Sequence, residues 1–150
     1  ERYKYQRGCA IKGQRRGRSL EDQVEAVLKD LGVPYIRGGS FTGRDGKMAK
    51  ADFSIPGLER PKIVIESKAF QATGSKLTDF IGDVLKITEA KSYHMYFFIV
   101  TDGTGWLNRV SDLVKIMDFH HRGMIDMVYT RATMEELREA VRRIVAREID

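Results

Sequence analysis

Cysteine is almost missing from this 150-residue chain: Cys9 is the only one, so neither a disulfide framework nor a multi-cysteine zinc site can be built. Long apolar runs are missing too. The longest, Met95 to Val100, is far below the roughly 18 residues of a membrane span, and no part of the chain is expected to enter a membrane. No secretory leader precedes the first periodic segment, which points to a reducing, cytoplasmic setting. There is no internal repeat and no linker that would split the chain. Gly43-Arg44-Asp45-Gly46-Lys47 falls short of a phosphate loop, because Phe41 stands where its first glycine belongs and Met48 where Ser or Thr belongs; no nucleotide cofactor is expected. The first residue is Glu1 rather than methionine, as in a piece of a longer protein.

What is present is enough for a packed domain. A chain of this length buries roughly 68–70% of its unfolded surface and folds without staples. Hydrophobic residues make up 42% and charged residues 31%, which excludes global disorder. The net charge is +5, and its location matters more than its size. Arg2, Lys4, Arg7, Lys12, Arg15, Arg16 and Arg18 face only Glu1 in the first 18 residues, so the whole surplus belongs to an N-terminal arm. That arm, residues 1–18, reads equally as a flexible polyanion-binding segment or as a solvated, tag-adjacent tail, and residues 19–150 read as the folded domain.

Hydrophobic periodicity divides that domain into elements. Ser19 with Asp22 approximates a capping box for a helix carrying Leu20, Val24, Val27, Leu28 and Leu31, with Gly32 closing it. A short strand over Pro34–Arg37, a glycine-rich loop or open hairpin over Gly38–Lys47, and strands over Ala51–Ile55 and Lys62–Phe70 follow. A second helix spans about Ser75–Ala90 with Leu77, Phe80, Ile81, Val84 and Leu85 on one stripe. Tyr93–Thr101 is apolar almost throughout, as befits a central strand covered on both faces. A third helix over Ser111–Phe119, a strand over Asp126–Thr130, and a last helix capped by Thr133 and Glu136 complete the order α-β-β-β-α-β-α-β-α. The fold class is α/β, a mixed sheet flanked by helices, with one parallel crossover from Lys62 to Thr101.

The segment that carries chemistry is Asp52, followed after thirteen residues by Glu66-Ser67-Lys68. In a strand, side chains two apart share a face, so Glu66 and Lys68 project together. Their neighbours are apolar, and a carboxylate beside an ammonium in such a strand gains nothing unless it is paired or binds something. Asp52 lies on the preceding strand, about 4.8 Å away in the hydrogen-bonding direction. Two adjacent carboxylates repel, and a divalent cation between them removes that repulsion. Oxygen ligands select Mg²⁺ or a similar hard ion.

This pattern resembles the PD-(D/E)XK nuclease superfamily, in which an acid on one strand and an E-X-K on the next form the active site. The element order resembles that family's α-β-β-β-α-β core, here with an additional C-terminal helix-strand-helix. Family members often add a glutamate from the first helix; Glu21 fits that role, with Glu25 as the fallback. The family's Pro-Asp is Ala51-Asp52 here, a departure that leaves the ligand in place. A closer resemblance is to DpnII/MboI-type restriction endonucleases. It rests on Thr101-Asp102-Gly103-Thr104-Gly105-Trp106, then Asn108-Arg109 and Ser111-Asp112-Leu113, and covers roughly Ser19 to Ala146. By itself Asp102–Trp106 reads as a strand-terminating turn with a core tryptophan.

The resemblance implies hydrolysis of double-stranded DNA within a short palindrome such as GATC. It implies Mg²⁺, with Mn²⁺ able to substitute, held by Asp52, Glu66, the Ser67 carbonyl and Glu21, with Lys68 beside it. A palindrome cut on both strands implies a homodimer. Arg37, Arg44, Lys47 and Lys50 are candidate contacts to DNA phosphates. Gln71 and Lys76 are others, at a helix start where free N–H groups suit an anion, although Thr73 or Ser75 could cap those groups instead. His94, His120, His121 and Cys9 have no pattern that would activate them. A junction or repair nuclease, and a DNA-binding module with a non-catalytic nuclease-like fold, are the competing readings.

Overall fold

The computed structural model describes residues 20–69, 74–102, 115, 117–120 and 122–148, with the side chains of 74–78 outside that set. The basic arm, Ser19, Gln71, Thr73, the turn from Gly103 to Trp106 and the start of the expected third helix lie outside the described residues.

Helix α1, Leu20–Leu31, forms because Leu20, Val24, Val27 and Leu28 fall on one stripe and are all buried. Gly32 ends it at φ 67°, a left-handed conformation that glycine adopts without a side-chain penalty. Five short strands then precede the second helix: β1 Ile36–Arg37, β2 Ser40–Thr42, β3 Met48–Lys50, β4 Phe53–Ile55 and β5 Ile63–Lys68. Three strands were expected. The difference is the glycine-rich stretch, which holds a complete hairpin in which β2 pairs antiparallel with β3, Phe41 opposite Ala49. Both residues are buried, which stabilises a hairpin too short to stand alone. Helix α2, Gly74–Ala90, leads to β6, Tyr96–Thr101, then β7, Met127–Thr130, a 3₁₀ turn at Arg131–Thr133, and helix α3, Met134–Glu148. Residues 117–120, in the region expected for the third helix, are helical. Among the described residues no helix is long and apolar enough to cross a membrane.

The main sheet has five strands in the order β1-β4-β5-β6-β7. It is mixed: β1 and β5 run antiparallel to β4, whereas β6 runs parallel to β5 and β7. The strand alternation separates two cores. Val64, Phe97 and Ile99 pack with Phe80, Val84 and Ile87 of α2 and with Phe41 and Ala49 of the hairpin. Ile63, Ile65, Phe98 and Val100 pack on the other face with Val24 and Leu28 of α1 and Leu137, Val141 and Ile144 of α3. β5 and β6 are therefore buried on both faces, the reason their sequences are apolar without alternation.

Two local expectations shift. The stripe on α2 runs through Phe80, Val84, Ile87 and Ala90, all buried, while Leu85 is 40% exposed. The cap expected at Thr133 and Glu136 sits one turn earlier. There Thr130 Oγ1 accepts from the Ala132 N–H, and Thr133 Oγ1 accepts from the Thr130 N–H at 2.8 Å.

Gly43, at the hairpin's turn, meets the C-terminal end of α2 so closely that a Cβ there would overlap the Ala90 carbonyl oxygen. A Gly43→Ala substitution should therefore force backbone apart and lower stability by about 1–3 kcal/mol, read as a reduced urea midpoint at unchanged slope.

Candidate active site

Past the apolar positions of β5 the strand continues as Glu66-Ser67-Lys68, and the chemistry begins where the two cores end. A cavity of about 410 Å³ opens there, lined by Glu21, Asp52, Glu66, Ser67, Lys68, Asp79, Phe80 and Asp83. Its walls come from α1, from the residue preceding β4, from the end of β5 and from α2. Asp52, Glu66, Lys68 and Glu21, far apart in sequence, are thus brought to one hollow.

Register explains the meeting. Phe53 pairs with Ile65 across the antiparallel β4–β5 ladder, which sets Asp52 beside Glu66 at the point where pairing stops. The Asp52 N–H donates to Glu66 Oε1 at 3.0 Å. In return Asp52 Oδ2 accepts from the Ser67 N–H at 2.7 Å and from the Ser67 hydroxyl at 2.9 Å. Asp52 is consequently fixed by three hydrogen bonds, two through its carboxylate.

The electrostatics follow from burial. Glu66 is only 9% exposed. Desolvation, followed by the Asp52 charge and a hydrogen bond with Asp52, pushes its pKa up to about 9; the Asp52 N–H opposes this, and Asp83 adds to it. Glu21 is raised as well, first by burial and then by Asp52, against the lowering effect of Arg37. Among the described residues, Lys68 is the one basic side chain lining the cavity, against five acids.

Arg37, one of the candidate phosphate contacts, is tied to the acids of α1. It extends from the edge strand β1 across α1, with Nη2 3.0 Å from Glu21 Oε2 and Nη1 2.9 Å from Asp22 Oδ1 and 3.0 Å from Glu25 Oε1. Its guanidinium carbon also lies 5.8 Å from the centre of the Phe53 ring, within range of a cation–π contact. Tyr35 completes the group by donating its hydroxyl to Glu25 Oε2 at 2.8 Å. Glu25, the fallback for the helix glutamate, is thereby turned to Tyr35 and Arg37, and Glu21 is the α1 acid that lines the cavity.

The other candidate contacts are scattered. Lys47 and Lys50 are exposed on the hairpin. Arg44 is exposed and donates from Nη2 to the Glu89 carbonyl at 3.3 Å. Lys76 lies in the first turns of α2, and Gln71 is outside the described residues. Asp79 and Asp83 of α2 were not anticipated from sequence. They sit at i, i+4, each immediately before a buried residue of the stripe (Phe80 and Val84), and that position relative to the stripe is the signal that could have found them.

The donors around the cavity are all oxygen, and their mutual repulsion is what a hard divalent cation relieves. Among the described residues, however, no group of three or more His, Cys, Asp or Glu side chains is arranged so as to hold a metal ion. Asp52 Oδ2 is turned to Ser67 and Glu66 Oε1 to the Asp52 amide. The donor set fits such a cation in chemistry, with Glu21, Asp52 and Glu66 among the acids that line the hollow.

Two outcomes are expected. A carboxyl whose folded-state pKa lies above its unfolded value binds its proton more tightly when folded, so its stabilisation is complete below about pH 4.5 and is lost as pH rises toward 9. In EDTA the protein should therefore weaken progressively from pH 5 to 9 in thermal or urea unfolding, and Glu66→Gln should flatten that slope. Arg37→Ala should lower stability by about 1–2 kcal/mol, the sum of its part-exposed pairs, with little change in the salt dependence of DNA binding. A phosphate contact would instead lower the slope of log K against log salt by about one at unchanged stability.

No curated protein and no solved structure matches the chain. The family model described as DpnII restriction endonuclease matches residues 12–138, a span that takes in α1, the whole sheet and the cavity with every acid lining it. On that match the chain belongs to the DpnII restriction endonuclease family, whose members act on DNA.

Proposed function

We propose that the protein is a divalent-metal-dependent endonuclease that hydrolyses phosphodiester bonds of double-stranded DNA, using the cavity at the end of β5. One observation carries this reading: Asp52, Glu66 and Lys68 line a single hollow together with Glu21. That is the set a PD-(D/E)XK site requires, on a domain assigned to a restriction-endonuclease family. The relation of α1, the antiparallel strands, α2 and β6 is taken as the α-β-β-β-α-β core of that superfamily, with the β2–β3 hairpin as an insertion.

Asp52, Glu66, the Ser67 carbonyl and Glu21 are the groups that would hold Mg²⁺, or Mn²⁺ in its place. When bound, such a cation supplies Lewis-acid stabilisation of the charge on the scissile phosphate and a water of lowered pKa. The chain's own residues do the rest. Ser67 fixes the Asp52 carboxylate through its N–H and hydroxyl. Glu66, which holds its proton at neutral pH in the absence of a cation, must give it up when a cation takes its place, so loading releases protons. Lys68 orients the attacking water, assists its deprotonation, or neutralises the five-coordinate phosphorus. In-line attack leaves 5′-phosphate and 3′-hydroxyl ends. Arg37 keeps Glu21 over the cavity. Arg44, Lys47 and Lys50 on the hairpin and Gln71 and Lys76 after β5 are assigned to backbone phosphates, which position the duplex without reading it. Cutting both strands of a palindrome calls for a homodimer.

Plasmid digestion with Mg²⁺ or EDTA, followed by sequencing of the ends, tests the reading. Discrete fragments with 5′-phosphates are expected in Mg²⁺ alone. Asp52→Asn and Lys68→Ala should each cut at least about 10²-fold more slowly while keeping a wild-type unfolding transition. Duplex binding with no Mg²⁺-dependent cleavage would overturn the enzymatic assignment, and preference for a four-way junction over linear duplex would replace restriction with junction resolution.

A further inference from the structure

A second hollow, of about 330 Å³, lies at the opposite end of the same strands. The residues just before β5 and just before β6 line it: Lys62 on one side, Ser92 and His94 on the other. Arg44 and Asp45 of the hairpin turn and Arg60 close it. From Lys62 to Lys68 the strand advances about 20 Å, with both packed cores in between. A group bound here is not the group bound at the cavity of Glu66.

The composition of this hollow is unlike that of the first. Arg44, Arg60 and Lys62 set three cations against the single carboxylate of Asp45. Among the described residues the Arg60 and Lys62 side chains have no ion-pair or hydrogen-bond partner, whereas seven arginines and lysines elsewhere in the described set sit in ion pairs. The Lys62 main chain is fully used, its N–H donating to Ile55 and its carbonyl accepting from Tyr96, so the residue is anchored while its ammonium is left over. Arg60 is anchored too, at a cost. It has φ 46° and its N–H donates to the Thr42 carbonyl at 2.9 Å. Asp45, at φ 55°, is the other left-handed non-glycine residue of the described set. A left-handed position ordinarily favours glycine, and here the two that carry charged side chains instead both line one concave surface.

We propose that this hollow is a second, non-catalytic binding site for a phosphate group, held by Arg60, Lys62 and Arg44, with Ser92 and His94 as hydrogen-bonding groups beside them. The group belongs either to the DNA backbone, at a phosphate away from the one being cut, or to a free phosphate ligand. The inference is independent of whether the other cavity cleaves DNA.

The test uses the whole protein in EDTA, so that no DNA is cut, with inorganic pyrophosphate and a short duplex as separate probes. Arg60→Gly suits the left-handed backbone, and Lys62→Gln leaves the main-chain bonds intact. The double variant should bind pyrophosphate at least ten-fold more weakly than wild type by titration calorimetry, whereas Lys68→Ala should bind it within two-fold of wild type. If the phosphate is that of DNA, the slope of log K against log salt for the duplex should also fall by about one to two, near 0.9 for each lost contact. An unchanged slope with lost pyrophosphate binding assigns the site to a free phosphate ligand. A lowered slope without measurable pyrophosphate binding by wild type assigns it to DNA. The proposal is overturned if the double variant matches wild type with both probes, or if pyrophosphate binding is lost in Lys68→Ala and kept in the double variant. Should Arg60→Gly shift the unfolding midpoint, Lys62→Gln alone carries the same comparison.

Discussion

Asp52 and Glu66 are held side by side at the point where an apolar strand runs out, close enough for the main chain of one to bond the side chain of the other. Two carboxyl groups in so dry a place are unfavourable as a pair of anions, and a proton on Glu66 is the way this chain avoids it when nothing else is bound. Everything around them bears on that tension. Ser67 holds the Asp52 carboxylate, Asp83 adds negative potential from α2, and Lys68 is the basic side chain that lines the same hollow among the described residues. The neighbourhood therefore favours whatever positive charge is on offer, first a proton and then a small hard cation.

The helix that contributes Glu21 carries an opposite arrangement on its outer side. Glu21, Asp22 and Glu25 crowd the first turns of α1, and a single arginine from the edge strand answers all three. Because Arg37 is paired in register with Phe53, the residue after Asp52, the tie between strand and helix is short and local. It fixes the distance from the α1 acid to the acids of the sheet. A basic residue near a nuclease site was expected to touch DNA. In the structure its guanidinium is tied to three acids of α1.

What could be read from sequence followed the strength of local pattern. α1, β5, β6 and α3 were legible because each buries a long, regular apolar set, and Asp52, Glu66 and Lys68 because period-two alternation fixes their faces. The β2–β3 hairpin was one of two readings of its stretch and its strands were not delimited, since its buried content is little more than Phe41 and Ala49, too few residues for a period to register. The rotation of α2 was misread because Leu85 and Ile87 are equally apolar and only packing chooses between them. Asp79 and Asp83 were overlooked for the same reason, since which flank of that helix meets β5 is a tertiary fact. The fate of Arg37 depended on partners twelve to sixteen residues away, beyond the reach of any local rule.

The two-sided burial of β5 has a further bearing on how this protein can change. Ile63 and Ile65 are locked into one core and Val64 into the other, so sliding the strand by a single position would send Glu66 into the α1–α3 interior in one direction, or set Ile65 at the mouth of the cavity in the other. Insertions or deletions inside this segment are thus closed to evolution and to engineering alike. Length variation can accumulate only outside this ladder, where it leaves the alignment of the acids untouched.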